Sequence, residues 1–337
     1  MSLQAYVEMM RPAVERELER IVGANLRADF PEVIHMVRYH MGWEGEGAGL
    51  DAQGKRIRPL LVLLCAQAAG GDWQQALPAA AAVELLHNFS LVHDDIQDQS
   101  PLRRSRPTVW VKWGAAQAIN TGDVIFTLSF LALQDLAQHY EPGVVVEASR
   151  LMQKTCLRLT EGQYLDMSYE TKTELPVEAY WPMVGGKTSA LLSCCAQLGA
   201  LAGGAQPEQQ DAFRDYGYFL GLAFQVLDDW LGIWGDVELT GKSVESDLVT
   251  GKKTLPVLYA LSKDGLFARR WWQGPVKPEE APALAELLKE EGAYDFTLQT
   301  AAQLTDRAMG ALKSASGEND AALVLEELSR QLLSRKN

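Results

Sequence analysis

Glu84-Leu85-Leu86-His87-Asn88-Phe89-Ser90-Leu91-Val92-His93-Asp94-Asp95-Ile96-Gln97-Asp98 is the stretch on which the reading of this 337-residue chain turns. On a helix, His87, Leu91, Asp94 and Asp98 follow steps of four, three and four, so they share one face. Two carboxylates one turn apart repel and cost stability unless a cation lies between them. Oxygen ligands without cysteine, and with His93 as the only histidine on that turn, point to magnesium rather than zinc. Magnesium held by one or two carboxylates completes its shell with water and substrate phosphate. An isolated DDxxD pattern reads as a solvated acidic helix end. Here the neighbourhood favours a site, because Arg103-Arg104-Ser105-Arg106-Pro107-Thr108 follows at once and arginine forks match phosphate oxygens.

A second stretch, Gly221-Leu222-Ala223-Phe224-Gln225-Val226-Leu227-Asp228-Asp229-Trp230-Leu231-Gly232, repeats the logic. Gly221, Gln225, Asp228 and Gly232 share a face by the same spacing. Two such helices facing each other would line a cavity, acidic at one end and apolar below. Around them lie Gly162-Gln163-Tyr164-Leu165-Asp166, Gly186-Lys187-Thr188, Gly241-Lys242, Ser246-Asp247-Leu248 and Gly251-Lys252-Lys253-Thr254. Each is weak alone, since a lysine after glycine more often faces solvent. Together they describe a metal-and-diphosphate site, with Lys252 among the candidate phosphate contacts.

The rest of the chain reads as helix after helix. Apolar residues recur at three- and four-residue steps over about 74–98, 114–138, 143–169, 188–202 and 207–234, with no series of alternating strands. Pro101, Pro107, Pro142, Pro176, Gly203-Gly204 and Gly241 fall between these segments as breakers. No low-complexity linker and no fixed-period repeat divides the chain, so one helical domain over 1–337 is expected. The segment 265–282, with Trp271-Trp272, reads as a surface excursion.

Bulk properties exclude several classes. Hydrophobic residues make up 47% of the chain, ample for a sizeable core. A net charge of −13 argues against a nucleic-acid surface but leaves room for a local basic cluster that binds phosphorylated substrates. Cys65, Cys156, Cys194 and Cys195 show no metal spacing, and the adjacent pair suits buried reduced thiols. The segment 1–12 has no hydrophobic signal core, and no apolar run reaches the ~20 residues of a membrane helix. A soluble cytoplasmic protein is expected.

The ordered motifs from Gly54-Lys55-Arg56-Ile57-Arg58-Pro59 to Pro256 resemble those of the trans-isoprenyl diphosphate synthases, or polyprenyl synthetases. The resemblance implies an all-α fold, a single large helical bundle of the isoprenoid synthase type around a central cavity, and a homodimer. It implies that Lys55, Arg58, His87 and Arg104 hold the diphosphate of isopentenyl diphosphate. Asp94 and Asp98 would ligate two Mg2+ ions and Asp228 a third. Arg103, Lys187 and Lys242 would grip the allylic diphosphate. Thr188 and Gln225 would lie near the cationic carbon, and Gln163 and Asp166 would form a polar patch. Gly232 departs from the second DDxxD motif, which makes that site less acidic. Trp110 stands where many members carry histidine.

The implied reaction is ionisation of an allylic diphosphate, attack of the isopentenyl alkene on the cation, and loss of a proton to the departing diphosphate. No serine, cysteine or histidine nucleophile is required. Chain length is set below the first acidic motif, where Phe89 is bulky and Ser90 small, with Leu86, Ile125 and Leu128 as further candidates for the floor. That pattern resembles synthases of C20 products and predicts geranylgeranyl diphosphate, with farnesyl (C15) and C25 products as alternatives. A terpene cyclase and a non-catalytic subunit of a hetero-oligomeric synthase are the rival classes. The first is disfavoured by the presence of Lys55, Arg58 and Arg104, and the second by the retention of both acidic motifs.

Overall fold

The computed structural model describes residues 1–235, 246–317 and 319–334. Its helices are α1 (Leu3–Asn25), α2 (Pro31–His40), α3 (Leu50–Gln53), α4 (Ile57–Ala68), α5 (Leu77–Gln97), α6 (Val109–Gln134), α7 (Pro142–Glu170), α8 (Tyr180–Val184), α9 (Ala190–Ala202) and α10 (Pro207–Trp234). They continue as α11 (Ser246–Val249), α12 (Leu255–Leu261), α13 (Leu266–Trp271), α14 (Ala281–Glu290), α15 (Ala293–Ser316) and α16 (Asp320–Ser334). Among the described residues, the strands are confined to one antiparallel hairpin, β1 (Leu102–Arg103) and β2 (Arg106–Pro107). The all-helical reading therefore holds, and the five long predicted helices are all present.

The chain forms two compact units. The first comprises residues 1–153, 195–210 and 318–325, and the second 154–194, 211–317 and 326–337. In the first unit, α4 is buried almost throughout, with Leu61, Leu63 and Leu64 fully enclosed. Each such leucine contributes roughly 2 kcal/mol of transfer free energy. Helix α5 is buried on all sides from Pro78 through Leu86, with Glu84 its one charged residue there, and Ala79–Ala82 are fully buried, so its small side chains admit close neighbours. Its C-terminal end is polar, and there the helix stops at the acidic motif. Helix α6 breaks at Gly114, whose φ of 83° and ψ of 159° suit a residue without Cβ, which places the long continuous stretch close to its predicted start.

Contrary to expectation, one segment, Val109–Gln138, is long and apolar enough to cross a membrane by length and composition. Within its apolar window 44% of the residues are buried inside the protein. In the second unit, two clusters form the core. One gathers Ile233, Leu248, Val257, Phe267 and Leu288, and the other Tyr180, Leu222, Val226, Leu255 and Leu258. Segment 265–282 is thus only partly a surface excursion. Phe267 and Ala268 are fully buried, Trp271 lies 5.5 Å from the Phe267 ring, and Trp272 alone of the tryptophan pair is exposed. The four cysteines are free thiols.

Candidate active site

One candidate cluster is built where α5 ends. Asp94 is half-buried, Asp95 buried and Asp98 exposed. No basic residue stands in the last turn of this helix. The negative end of the helix dipole therefore meets three acids, an arrangement that a bound cation relieves. Asp95 is neutralised from outside the helix. Arg103 donates from Nε to both of its carboxylate oxygens at 2.8 and 3.0 Å, its Nη2 stands 2.7 Å from Oδ1, and the same Nη2 lies 3.6 Å from Asp94.

Arg103 reaches Asp95 because the β1–β2 hairpin turns tightly. Arg103 pairs with Arg106, and Arg104 and Ser105 between them have φ of 51° and 61°. These are the left-handed conformations of a two-residue hairpin turn usually made by Asn-Gly or Gly-Gly. Side chains at such positions cost of order 1–2 kcal/mol each, so the turn must be held by its surroundings. Arg104 Nη1 donates to the carbonyls of Ala52 and Gln53, both at 2.8 Å. The guanidinium lies so close to Gly54 that a Cβ there would stand 2.7 Å from Cζ. Arg106 donates to the carbonyls of Tyr39, Glu44 and Glu46, and Tyr39 Oη donates to the carbonyl of Pro107 at 2.8 Å. Trp110 finds its role here, donating from Nε1 to the carbonyl of Ser100 at 2.9 Å.

The basic run before α4 splits into three fates. Lys55 is exposed. Arg56, buried, is held between Glu15 at 2.6 Å and Glu84 at 2.7 Å. Arg58 Nη1 lies 3.2 Å from His87 Nε2, and its Nε is buried without a hydrogen-bond partner. Burial first, then Arg58 and Arg104, holds the His87 imidazole well below its ordinary pKa, so a neutral Nε2 accepts from Arg58. Burial, with Arg56, Arg103 and Arg58 nearby, also lowers the pKa of Arg104. An orphaned arginine donor beside crowded cations fits an anionic ligand. Beneath the hairpin sits His40, which sequence reading missed. It lines a small cavity with Asp95, Arg103 and Arg104, its Nε2 lacks a partner, and burial with those arginines lowers its pKa to about 3.

On the upstream turn of α5, Ser90 donates to the carbonyl of His87 at 2.7 Å. The Phe89 ring lies 4.7 Å from those of both His93 and Phe126, and Phe126 continues to Phe130 at 5.1 Å. Leu86, Ile125 and Leu128 are core residues, at 0%, 0% and 2% exposure. The aromatic partner of Phe89 is therefore Phe126, a residue not singled out from the sequence.

Another candidate cluster is built in the other unit. Between α8 and α9, Gly185–Ser189 forms a π turn, a widened helix geometry common at functional sites. A Cβ on Gly186 would stand 2.8 Å from the Cα of Gly162, so the two glycines let the π turn and α7 touch backbone to backbone. That contact sets Asp166, one turn beyond Gly162, in an ion pair with Lys187. Gln163 is half-buried on the same turn of α7. Thr188 Oγ1 donates to Gln225 Oε1 at 2.9 Å, and Gln225 Nε2 donates to Asp229 Oδ1 at 3.0 Å. Asp229 also accepts from Tyr180 Oη at 2.7 Å and from the amide of Leu255 at 3.1 Å. Burial pushes its pKa up to about 7 against the pull of these three donors. Asp228 is half-buried.

The predicted residues divide between the two units: Lys55, Arg58, His87, Phe89, Ser90, Asp94, Asp98, Arg103 and Arg104 belong to one, and Gln163, Asp166, Lys187, Thr188, Gln225, Asp228 and Lys252 to the other. Lys252 is exposed, whereas Lys253 donates to the last carbonyls of α7, Tyr169 at 2.6 Å and Glu170 at 3.0 Å. Lys242 lies outside the described residues. Paired carboxylates one turn apart at a helix C-terminus suit a hard oxygen-seeking cation such as Mg2+.

A family model described as polyprenyl synthetase matches residues 48–281. The chain is 37% identical over 316 residues to a (2E,6E)-farnesyl diphosphate synthase of Mycobacterium tuberculosis, covering 91% of this chain and 87% of the relative. It is 39% identical over 274 residues to a geranylgeranyl diphosphate synthase of Methanosarcina mazei, covering 81% and 84%. The crystal structure of a polyprenyl synthetase from Streptomyces coelicolor superposes with a TM-score of 0.87 at 35% identity, over 98% of this chain and 100% of that one.

Proposed function

Since the chain belongs to the polyprenyl synthetase family, we propose that it is a short-chain trans-prenyltransferase that condenses isopentenyl diphosphate with allylic diphosphates, ending at geranylgeranyl diphosphate. The observation that carries the reading is the end of α5. There Asp94 and Asp98 stand one turn apart beside a hairpin that delivers Arg103 and Arg104, with the Arg58–His87 pair on the same unit.

In this reading Asp94, Asp98 and Asp228 hold Mg2+, three ions in all. The metal supplies neutralisation of the diphosphate oxygens, which makes diphosphate a leaving group. Lys55, Arg58, His87 and Arg104 bind isopentenyl diphosphate. His87 does so as a neutral imidazole, and Arg58 with a donor still unspent. Arg103, Lys187 and Lys242 grip the allylic diphosphate, with Lys252 as a further contact. The allylic C–O bond breaks and its electron pair leaves with the diphosphate. The alkene of isopentenyl diphosphate then forms the new C–C bond, and the lost proton passes to the diphosphate. Thr188 and Gln225, fixed to each other and to Asp229, direct oxygen dipoles at the cation. Gln163 and Asp166 complete the polar lining, Asp166 orienting Lys187.

The Phe89–Phe126 contact, with Ser90 beside it, supports a floor of C20 depth, and relatives named for both C15 and C20 products bracket the choice. We further read residues 1–337 as one domain of this family, acting as a cytoplasmic homodimer. Incubation with Mg2+, isopentenyl diphosphate and, separately, dimethylallyl, geranyl and farnesyl diphosphates tests the proposal by mass spectrometry. A C20 diphosphate is expected, and Phe89→Ala or Phe126→Ala should lengthen it. A hydrocarbon formed from an allylic diphosphate alone, or no turnover, would overturn the reaction. An unchanged product in both variants would remove the aromatic floor.

A further inference from the structure

The second acidic stretch ends in Gly232, one helical turn after Asp228, where the first stretch has Asp98 after Asp94. The space beside Gly232 is filled. A Cβ built there would stand 2.7 Å from Asp247 Cγ and nearer still to Oδ2. Even alanine would collide with this carboxylate, which comes from α11 and not from α10. Positions one turn apart on a helix lie about 5–6 Å from each other between Cβ atoms, so an acid at the Gly232 position sits on the same face as Asp228. Asp247 therefore brings a carboxylate to the helix surface where the in-helix acid is missing.

We propose that Asp247 is the second carboxylate of the second metal site, exchanged for the acid that Gly232 lacks. The proposal rests on the reading that Asp228 holds Mg2+ at the diphosphate. It explains why residue 232 is glycine: in a helix interior glycine costs about 1 kcal/mol relative to alanine, and here the loss makes room for the incoming oxygen. An acid delivered from a separate segment, rather than from the next turn of α10, leaves the donor count of the site at two. Two is the number a magnesium ion accepts when phosphate and water fill its remaining positions.

Isothermal titration of inorganic diphosphate into the full chain, over a series of Mg2+ concentrations, tests this without turnover. Asp247→Asn, close to isosteric, is expected to raise the Mg2+ midpoint by about tenfold or more. Gly232→Ala should do the same by pushing the carboxylate away, which covers the case in which Asp247→Asn fails to fold. Gly232→Asp combined with Asp247→Ala, which removes the colliding atoms, should bring the midpoint back most of the way. A midpoint unchanged in both single variants overturns the proposal, as does a fall in melting temperature in metal-free buffer with no change in Mg2+ dependence. Asp228→Asn separates the two levels. If it abolishes Mg2+-dependent binding while Asp247→Asn does not, the exchange fails and the role of Asp228 stands. If Asp228→Asn also changes nothing, both fall together.

Discussion

The two acidic stretches look alike on paper, Asp94-Asp95-Ile-Gln-Asp98 and Asp228-Asp229-Trp-Leu-Gly232, yet their middle acids are buried by opposite means. Asp95 is matched by a charge: Arg103 reaches it from the hairpin with three contacts between 2.7 and 3.0 Å. Asp229 is met by neutral donors, Tyr180, Gln225 and the Leu255 amide, and burial raises its pKa to about 7. Both devices fix an acid-bearing turn, but they fix it to different things. The ion pair ties the first turn to a cationic hairpin that would itself touch substrate. The hydrogen-bond network ties the second to α8, α12 and the Thr188–Gln225 pair. On the proposed function, a buried ion pair would belong to the phosphate-binding surface in one unit, and a nearly neutral acid to the scaffold in the other.

The largest effect expected from this contrast is on turnover. Asp94→Asn and Asp228→Asn, at the outward acid of each stretch, should each lower kcat by about a thousandfold, the scale of a lost electrostatic partner in a transition state. Asp229→Asn, which keeps a polar side chain of the same shape, should stay within about tenfold of the parent. Steady-state kinetics at saturating Mg2+ makes the comparison. A collapse of activity in Asp229→Asn as deep as in Asp228→Asn would erase the division between scaffold and site.

Next in size is stability. Arg103→Gln leaves Asp95 charged, 3% exposed and unmatched, which should cost roughly 3 kcal/mol by the general cost of breaking a buried pair. Asp229→Asn exchanges one neutral-leaning acceptor for another and should cost only about 1 kcal/mol. Urea denaturation in metal-free buffer reads both. Equal losses would mean that Asp229 carries its charge in the native state.

Much of this was legible in the sequence because helices impose a period. Gly221, Gln225, Asp228 and Gly232 were placed on one face, and three of them prove to contact the neighbours that matter: Ser189 for Gly221, Thr188 for Gln225 and Asp247 for Gly232. What escaped is non-periodic. The tight hairpin uses Arg104 and Ser105 where glycine or asparagine would have announced it. Lys55, Arg56 and Arg58 form one basic run, and only packing shows that the middle one enters a buried triad with Glu15 and Glu84. Lys252 and Lys253 differ in the same way, one exposed and one bound to the end of α7. Tyr180 and His40 carry no motif at all. Their importance comes from what lies against them in space.

The smallest effect is the most diagnostic, because the two units should respond to pH with opposite signs. Burial beside Arg104, Arg103 and Arg56 lowers the His40 pKa from an ordinary 6.5 to about 3, and His87 is also lowered well below 6.5. Between those limits the unfolded chain binds the proton and the native one does not, so stability falls as pH falls. Asp229, facing Tyr180 and Asp228, is raised from 3.8 to about 7. In that window the native state holds the proton, so stability falls as pH rises. Each group carries a slope of about 1.4 kcal/mol per pH unit. Between pH 5 and 6 the lowered histidines tilt stability toward higher pH, and Asp229 tilts it toward lower pH. Asp229→Asn should raise the net slope, and His40→Asn should lower it, each by up to about 1.4 kcal/mol per pH unit. Urea midpoints at pH 5.0, 5.5 and 6.0 in metal-free buffer decide the matter, since a general loss of stability shifts every midpoint alike and leaves the slope where it was.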